Sequence, residues 1–226
     1  HSIRRRQRQM CIRDRLGTPE FKALMEIVEP FEYRARLELP KFLLNSTGDE
    51  FFLPDSWQFY WDQLIGDKHL RYVPNSNHGM GETDVGESLD AWYHAIVHNV
   101  KMPRYSWEVA EDGTITVLSL DKPSKVLLWQ ASNSEDRNFM QTRIGKAYHS
   151  SPLSEIEPGV YKVKLAPPET GYTAYYIEIE FESGVGFPFK FSTGTKVVPD
   201  VTEYDWAMSP ASARAVSYTH LRAHET

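Results

Sequence analysis

The hydrophobic period of this chain changes near residues 101–104, from helical spacing to strict alternation, and that change restricts it to a mixed α/β part followed by an all-β part. Upstream, Phe21, Leu24, Met25 and Val28 share one helical face, and Pro30 stops the run. Residues 41–47 (K-F-L-L-N-S-T) are apolar and short enough for a buried strand. Pro54 then opens a segment in which Trp57, Tyr60, Trp61 and Leu64 fall at i, i+3, i+4 and i+7; Gly66 suits the residue just past a helix end, so a helix is expected. A second short strand is expected over 69–74. After it, Asp84 and Glu87 form a cap-like pair before a helix with Leu89, Trp92, Tyr93, Ile96 and Val100 on one face. Strands separated by helices imply parallel pairing with right-handed crossovers.

Downstream the alternation is clearest over 172–182, where Tyr175, Ile177, Ile179 and Phe181 face one way and Glu178, Glu180 and Glu182 the other, the pattern of a half-buried strand. Segments 114–120, 125–131, 160–165 and 187–191 behave similarly, with Asp112-Gly113 and Pro158-Gly159 supplying turns. The expected architecture is therefore the parallel sheet and helices of an α/β part over 16–100, then a small antiparallel β-sandwich over 101–200, then a tail over 201–214.

Both termini read as something other than a fold. Residues 5–14 (R-R-Q-R-Q-M-C-I-R-D) and 216–226 (V-S-Y-T-H-L-R-A-H-E-T) match in-frame translations of a common sequencing-library adapter pair, so 1–15 and 215–226 are expected to be adapter-derived and disordered. Without them, Lys+Arg falls from 25 to 18 and Asp+Glu from 31 to 29, a formal charge of −11 over 16–214. That charge argues against a nucleic-acid partner, which the N-terminal arginine cluster would otherwise suggest. The sole cysteine, Cys11, lies in the N-terminal run, leaving no disulfide framework, thiol nucleophile or thiolate-bound metal. No stretch reads as a membrane span.

Two residues stand where a catalytic acid and base would. Asp49 follows the first strand through Gly48, and His78 follows the second through P-N-S-N. They are 29 residues apart, room for one helix and one strand, so both side chains can arrive at one sheet edge. The chemistry requires a carboxylate to accept the imidazole Nδ1 proton, fixing the tautomer and stabilising the imidazolium formed when Nε2 takes a proton. A turn-forming aspartate and a surface histidine are the simpler readings of the same residues. Glu50, beside Asp49, is the competing acid.

Other features carry less. His94 and His98 have the i, i+4 spacing of metal ligands, yet Ala95 stands where a general-base Glu would be needed and no third ligand is evident, so no metal and no cofactor is expected. Asn45-Ser46-Thr47 is a glycosylation sequon at the end of a buried strand and is expected to be unmodified. Gly79, Gly81 and Gly86 lack phosphate-loop spacing and are expected to bend the histidine loop. Of the aromatic residues Phe51, Phe52, Trp57, Tyr60 and Trp61, the last three suit core packing, and Phe51 or Phe52 is expected near substrate.

The run L-P-K-F-L-L-N-S-T-G-D-E-F-F-L-P-D-S-W-Q-F-Y-W-D-Q-L-I-G-D-K-H-L-R-Y-V-P-N-S-N-H resembles the PhoPQ-activated pathogenicity-related proteins nearly throughout, and its G-D-E-F-F-L-P-D-S block is specific. The segment V-E-P-F-E-Y-R resembles a family segment usually written with Asp where Glu29 stands; the resemblance covers Thr18 to about Asp200 and weakens after Lys101. It implies an α/β-hydrolase domain with Asp49 and His78 as triad members, followed by a β-rich domain, and an extracytoplasmic or secreted protein. The departure is that no G-x-S-x-G elbow occurs between Leu16 and Arg214, so the chain is expected to be a C-terminal fragment, inactive alone, of a serine hydrolase acting on a small-molecule or peptide ester or amide. The alternative is a secreted signalling or binding protein on a hydrolase scaffold, because the family name reflects virulence and regulation rather than a reaction and similar eukaryotic proteins are linked to growth control.

Overall fold

The computed structural model describes residues 18–201; the terminal runs read as adapter-derived, and the expected tail beyond residue 201, lie outside the described residues. The chain divides into two compact units, one comprising Pro40–Gln58 with Lys68–Val201, the other including 18–39 and 59–67.

In the smaller unit, α1 (Pro19–Val28) starts where the Thr18 hydroxyl accepts the Phe21 amide at 3.2 Å and Pro19 occupies the first turn. Glu29 leaves helical geometry and Pro30 begins a 3-10 stretch, Pro30–Arg36. None of the α1 residues is buried.

The helix expected between Pro54 and Gly66 does not form. Two 3-10 turns, Ser56–Phe59 and Trp61–Gln63, stand there, separated by Tyr60 at φ −133°. Tertiary contacts override the helical spacing. The Trp57 indole donates to the Thr195 carbonyl at 2.8 Å and meets the Trp107 ring edge-on at 5.1 Å, while the Asp55 carboxylate is ion-paired with Arg137.

The larger unit opens with β1 (Lys41–Ser46) and β2 (Lys68–Val73), parallel and in register from Lys41 opposite Lys68 to Ser46 opposite Val73. This two-stranded pair is the parallel sheet among the described residues; a larger one is not present there. Then come α2 (Val85–His98), β3 (Tyr105–Val109), β4 (Ile115–Ser119), β5 (Lys125–Asn133), the short helix α3 (Gln141–Ile144), β6 (His149–Pro152), β7 (Val160–Val163), β8 (Tyr172–Phe181), β9 (Phe189–Ser192) and β10 (Lys196–Val198). One antiparallel sheet runs β3-β4-β7; the other runs β10-β8-β5-β6, with β9 also paired to β8. The region after residue 101 is thus largely β, and β3, β6 and β10 are strands that alternation did not single out.

Both sheets feed one core. Ile115, Val117 and Tyr161 come from the first, Val126, Leu128, Tyr175, Ile177 and Ile179 from the second, and Ala91 and Ala95 join them from α2. Full burial of each large aliphatic or aromatic side chain contributes on the order of 1.5–3 kcal/mol. The face of α2 differs from the expected one: Ser88, Ala91 and Ala95 are buried, whereas Leu89, Tyr93 and Ile96 are exposed. Small side chains let the helix approach the sheet closely, and the hydroxyl of Ser88 takes a hydrogen bond from buried Arg71.

Strand β8 also differs, because both its faces are covered. Tyr176 and Glu178 on the supposedly solvated face are as buried as Tyr175 and Ile177. The Tyr176 ring lies 5.7 Å from that of Tyr72 on β2 and 6.3 Å from that of Tyr148. Along one edge of β8, β9 and β10 act as a single strand interrupted at 193–195. The Trp57 ring occupies that interruption, where a Cβ on Gly194 would come within 2.1 Å of it, so only glycine admits this packing.

Candidate active site

Parallel pairing of β1 and β2 sends both strands out of the sheet at the same edge, Ser46 beside Val73. Asp49 lies three residues beyond the first and His78 five beyond the second. The two loops are tied before they diverge. Thr47 N–H donates to Val73 O at 3.1 Å, Gly48 N–H to Ser76 O at 3.0 Å, and Asn75 N–H to Thr47 Oγ1 at 2.9 Å. The Ser46 and Ser76 hydroxyls, both buried, are 2.9 Å apart. A side chain on Gly48 would meet Ser76 O and the Gln141 backbone at 2.8 Å, which explains why the turn into Asp49 is made by glycine.

The carboxylate and the imidazole come together. Asp49 Oδ2 lies 2.9 Å from His78 Nδ1, with the Asp49 side chain 6% exposed and that of His78 53% exposed. The other oxygen, Asp49 Oδ1, accepts the amides of Phe51 at 2.7 Å and Phe52 at 3.2 Å, so the carboxylate is oriented by its own loop. Glu50, the competing acid, accepts the backbone N–H of His78 at 3.0 Å through Oε2 and leaves the ring nitrogen to Asp49. With Nδ1 engaged by a carboxylate, the imidazole is held in the Nδ1–H form and Nε2 is the nitrogen available to accept a proton.

Phe51 and Phe52 flank the imidazole, Phe51 edge-on at 4.9 Å and Phe52 tilted at 6.0 Å, and both are largely exposed. The histidine loop obtains its bends from Asn75, Met80 and Glu82, at φ 54°, 49° and 57°, and not from Gly79, Gly81 and Gly86. His94 and His98 bring their rings to 4.3 Å on α2, and no group of three or more potential metal ligands occurs among the described residues. Asn45 lies within β1, opposite Tyr72.

Behind the loops sits an ionic network that the sequence did not disclose. Arg71 on β2 is fully buried; its guanidinium pairs with the Asp84 carboxylate, and donates to Asp84 O at 3.3 Å and to the Ser88 hydroxyl. Lys190 on β9 reaches the same carboxylate at 2.7 Å. Asp84 thus spends its carboxylate on these cations and makes no cap hydrogen bond to α2. Burial works to raise the Asp84 carboxyl, but the Lys190 hydrogen bond and the charges of Arg71 and Lys190 outweigh it and hold the group below the usual carboxylate range. Glu178 behaves oppositely: burial pushes it up, only partly offset by the Trp129 indole at 3.1 Å and the nearby Arg71 and Lys190 charges. The network fixes both ends of the histidine loop, since Arg71 precedes it and Asp84 closes it.

A hydrogen-bonded acid and imidazole at the carboxyl ends of adjacent parallel strands is an arrangement seen in triad-type sites. The profile of the family described as PhoPQ-activated pathogenicity-related protein matches residues 5–140, and the chain belongs to that family. The match covers the acid loop, the histidine loop and the first β-strands of the following region, and it opens within the N-terminal run that resembles adapter sequence. Autocrine proliferation repressor protein A of Dictyostelium discoideum is 32% identical over 221 residues, covering 85% of this chain and 44% of that protein. The chain therefore spans less than half the length of this curated relative. No solved structure matches.

Proposed function

We propose that Asp49 and His78 are the acid and base of a serine-hydrolase triad whose nucleophile is supplied by sequence outside this chain. The observation that carries the reading is the 2.9 Å contact between Asp49 Oδ2 and His78 Nδ1 at one edge of a parallel strand pair. In this reading β1, β2 and α2 are the closing elements of an α/β-hydrolase sheet over 16–100, and the two antiparallel sheets are a β-sandwich domain over 101–200. His78 Nε2 takes the proton of the serine as it attacks an ester or amide carbonyl, and Asp49 stabilises the imidazolium. Phe51 and Phe52 provide an apolar surface for the group attached to that carbonyl. With no G-x-S-x-G elbow between Leu16 and Arg214, this chain alone is expected to turn over no ester. Secretion of the longer protein is part of the proposal and rests on family resemblance.

A second reading, a non-catalytic signalling protein on the same scaffold, is favoured by the name of the Dictyostelium relative, a repressor of proliferation. A fluorophosphonate probe separates the two, since it reacts with serines activated by a general base. Labelling of the full-length protein that disappears in His78→Ala supports the hydrolase; a folded full-length protein that resists the probe supports the signalling reading.

A further inference from the structure

The β-rich region reaches into the candidate site. Between β5 and β6, residues 134–148 leave the sheet and touch both loops that carry Asp49 and His78. On the acid side, Gln141 N–H donates to Gly48 O at 2.9 Å, and the Arg137 guanidinium pairs with the Asp55 carboxylate, both side chains largely buried. These contacts bracket Asp49, Phe51 and Phe52. On the histidine side, Gln141 Nε2 donates to Asn75 O at 2.7 Å. The Asn75 side chain then makes a two-point contact with the Tyr148 backbone, donating from Nδ2 to Tyr148 O at 2.8 Å and accepting from Tyr148 N–H at 2.9 Å.

Within the 134–148 segment, Gln141 bonds to both loops, through its backbone to Gly48 and through its side chain to Asn75. Asn75 is held in left-handed backbone geometry, φ 54°, three residues before His78. Asparagine tolerates that region better than most residues, but the conformation still needs support from its surroundings. The segment that supplies it is itself internally hydrogen-bonded: Asn133 Nδ2 donates to Asp136 Oδ1 and to Asn138 O, each at 2.7 Å, and Asn138 Oδ1 accepts the Met140 amide at 3.0 Å.

We propose that residues 137–148 are a positioning clamp for the acid and histidine loops, with Gln141 and Asn75 as positioning residues that set the Asp49–His78 hydrogen bond. This assigns a role to the β-rich region: it holds the distance between two side chains to which it contributes no reacting group. The proposal rests on the pairing of Asp49 with His78 described above, and it does not require that the pair be catalytic. The direct bonds between the loops lie nearer the strands, so loss of a clamp bond is expected to loosen the outer parts of the loops and weaken the Asp49–His78 hydrogen bond of 2.9 Å.

The test uses this chain and reads the tautomer of His78 from its imidazole 15N shifts, under alkaline conditions in which imidazoles are neutral. Gln141→Met keeps the shape of the side chain and removes its donor; Asn75→Ala removes both contacts to Tyr148. The unmodified chain is expected to show the Nδ1–H form, and both variants to lose it toward the mixture of free imidazole. Lys164→Ala, whose exposed partner Asp112 lies on a different hairpin, is the control and is expected to retain it. Should Asn75→Ala fail to fold, Gln141→Met alone decides. A folded Gln141→Met chain with an unchanged Nδ1–H signal overturns the clamp. An unmodified chain without that signal overturns the clamp and the Asp49–His78 pairing together, whereas failure of the fluorophosphonate experiment touches only the proposed catalysis.

Discussion

Replacing Arg71 with methionine tests the network that anchors the histidine loop. Arg71 has no exposed surface, and its guanidinium meets the Asp84 carboxylate, the Asp84 carbonyl and the Ser88 hydroxyl. Removing one partner of a buried ion pair costs about 3–5 kcal/mol. The lower end applies here, because the Asp84 side chain is 33% exposed and keeps Lys190 at 2.7 Å. With about 3 kcal/mol lost and a urea m-value of about 2 kcal/mol/M, the unfolding midpoint is expected to fall by about 1.5 M. Urea titration followed by tryptophan fluorescence measures this. Asp84→Asn is expected to cost a similar amount, and the double variant less than the sum, by about 1.5 kcal/mol or more. The exposed Arg104–Asp121 pair is the control, and Arg104→Ala is expected to leave the midpoint in place. A midpoint for Arg71→Met within error of the unmodified chain would refute the reasoning, since it would mean that the guanidinium is hydrated and the network carries no stability.

The same network is expected to give a pH dependence whose sign follows from burial and the neighbouring charges. The folded state raises the Glu178 carboxyl above its ordinary 4.5, so its contribution to stability is fully present below that value and is lost as pH rises through the raised one. Glu178→Gln, which keeps an acceptor for Trp129, is therefore expected to be more stable than the unmodified chain near neutral pH and to lose that advantage in acid, as urea midpoints at several pH values would show. Asp84 runs the other way: its folded value lies below 3.8, so its contribution is present above 3.8 and is lost as pH falls through the lower value, and Asp84→Asn should remove that acid-side loss. Gly194→Ala is expected to cost about 2–3 kcal/mol by displacing the Trp57 ring, with a red shift of its emission; an unshifted spectrum and unchanged midpoint would show that the ring does not rest there.

Local chemistry made much of this legible. The apolar run at Lys41 and the short run before Pro74 are strands, the helical face of Phe21, Leu24, Met25 and Val28 lies on α1, which ends before Pro30, and the alternation of 172–182 contains β8. Asp49 and His78 could be singled out because a residue just past each of two parallel strands must emerge at one edge, whatever else the sheet contains. What failed was inference that needed a neighbour. The helical spacing of Trp57, Tyr60 and Trp61 gave way to an indole hydrogen bond made 138 residues away. The apolar face of α2 was assigned from its large residues, whereas Ala91 and Ala95 are the ones that reach the core. Glutamates on β8 looked solvated because alternation reports one covered face and is silent on the other. Neither Gln141 nor Arg71 bears any local mark of its role, because that role consists of bonds to segments remote in sequence.

The central claim is that His78 acts as a base oriented by Asp49. The most direct measurement is kcat/KM for a simple activated ester with the full-length protein, its His78→Ala variant and its Asp49→Asn variant. A loss of roughly 10⁴-fold or more is expected for His78→Ala and on the order of 10³–10⁴-fold for Asp49→Asn, which preserves the loop bonds to Phe51 and Phe52 but no longer fixes the tautomer. Turnover by His78→Ala within a few-fold of the unmodified protein would contradict it.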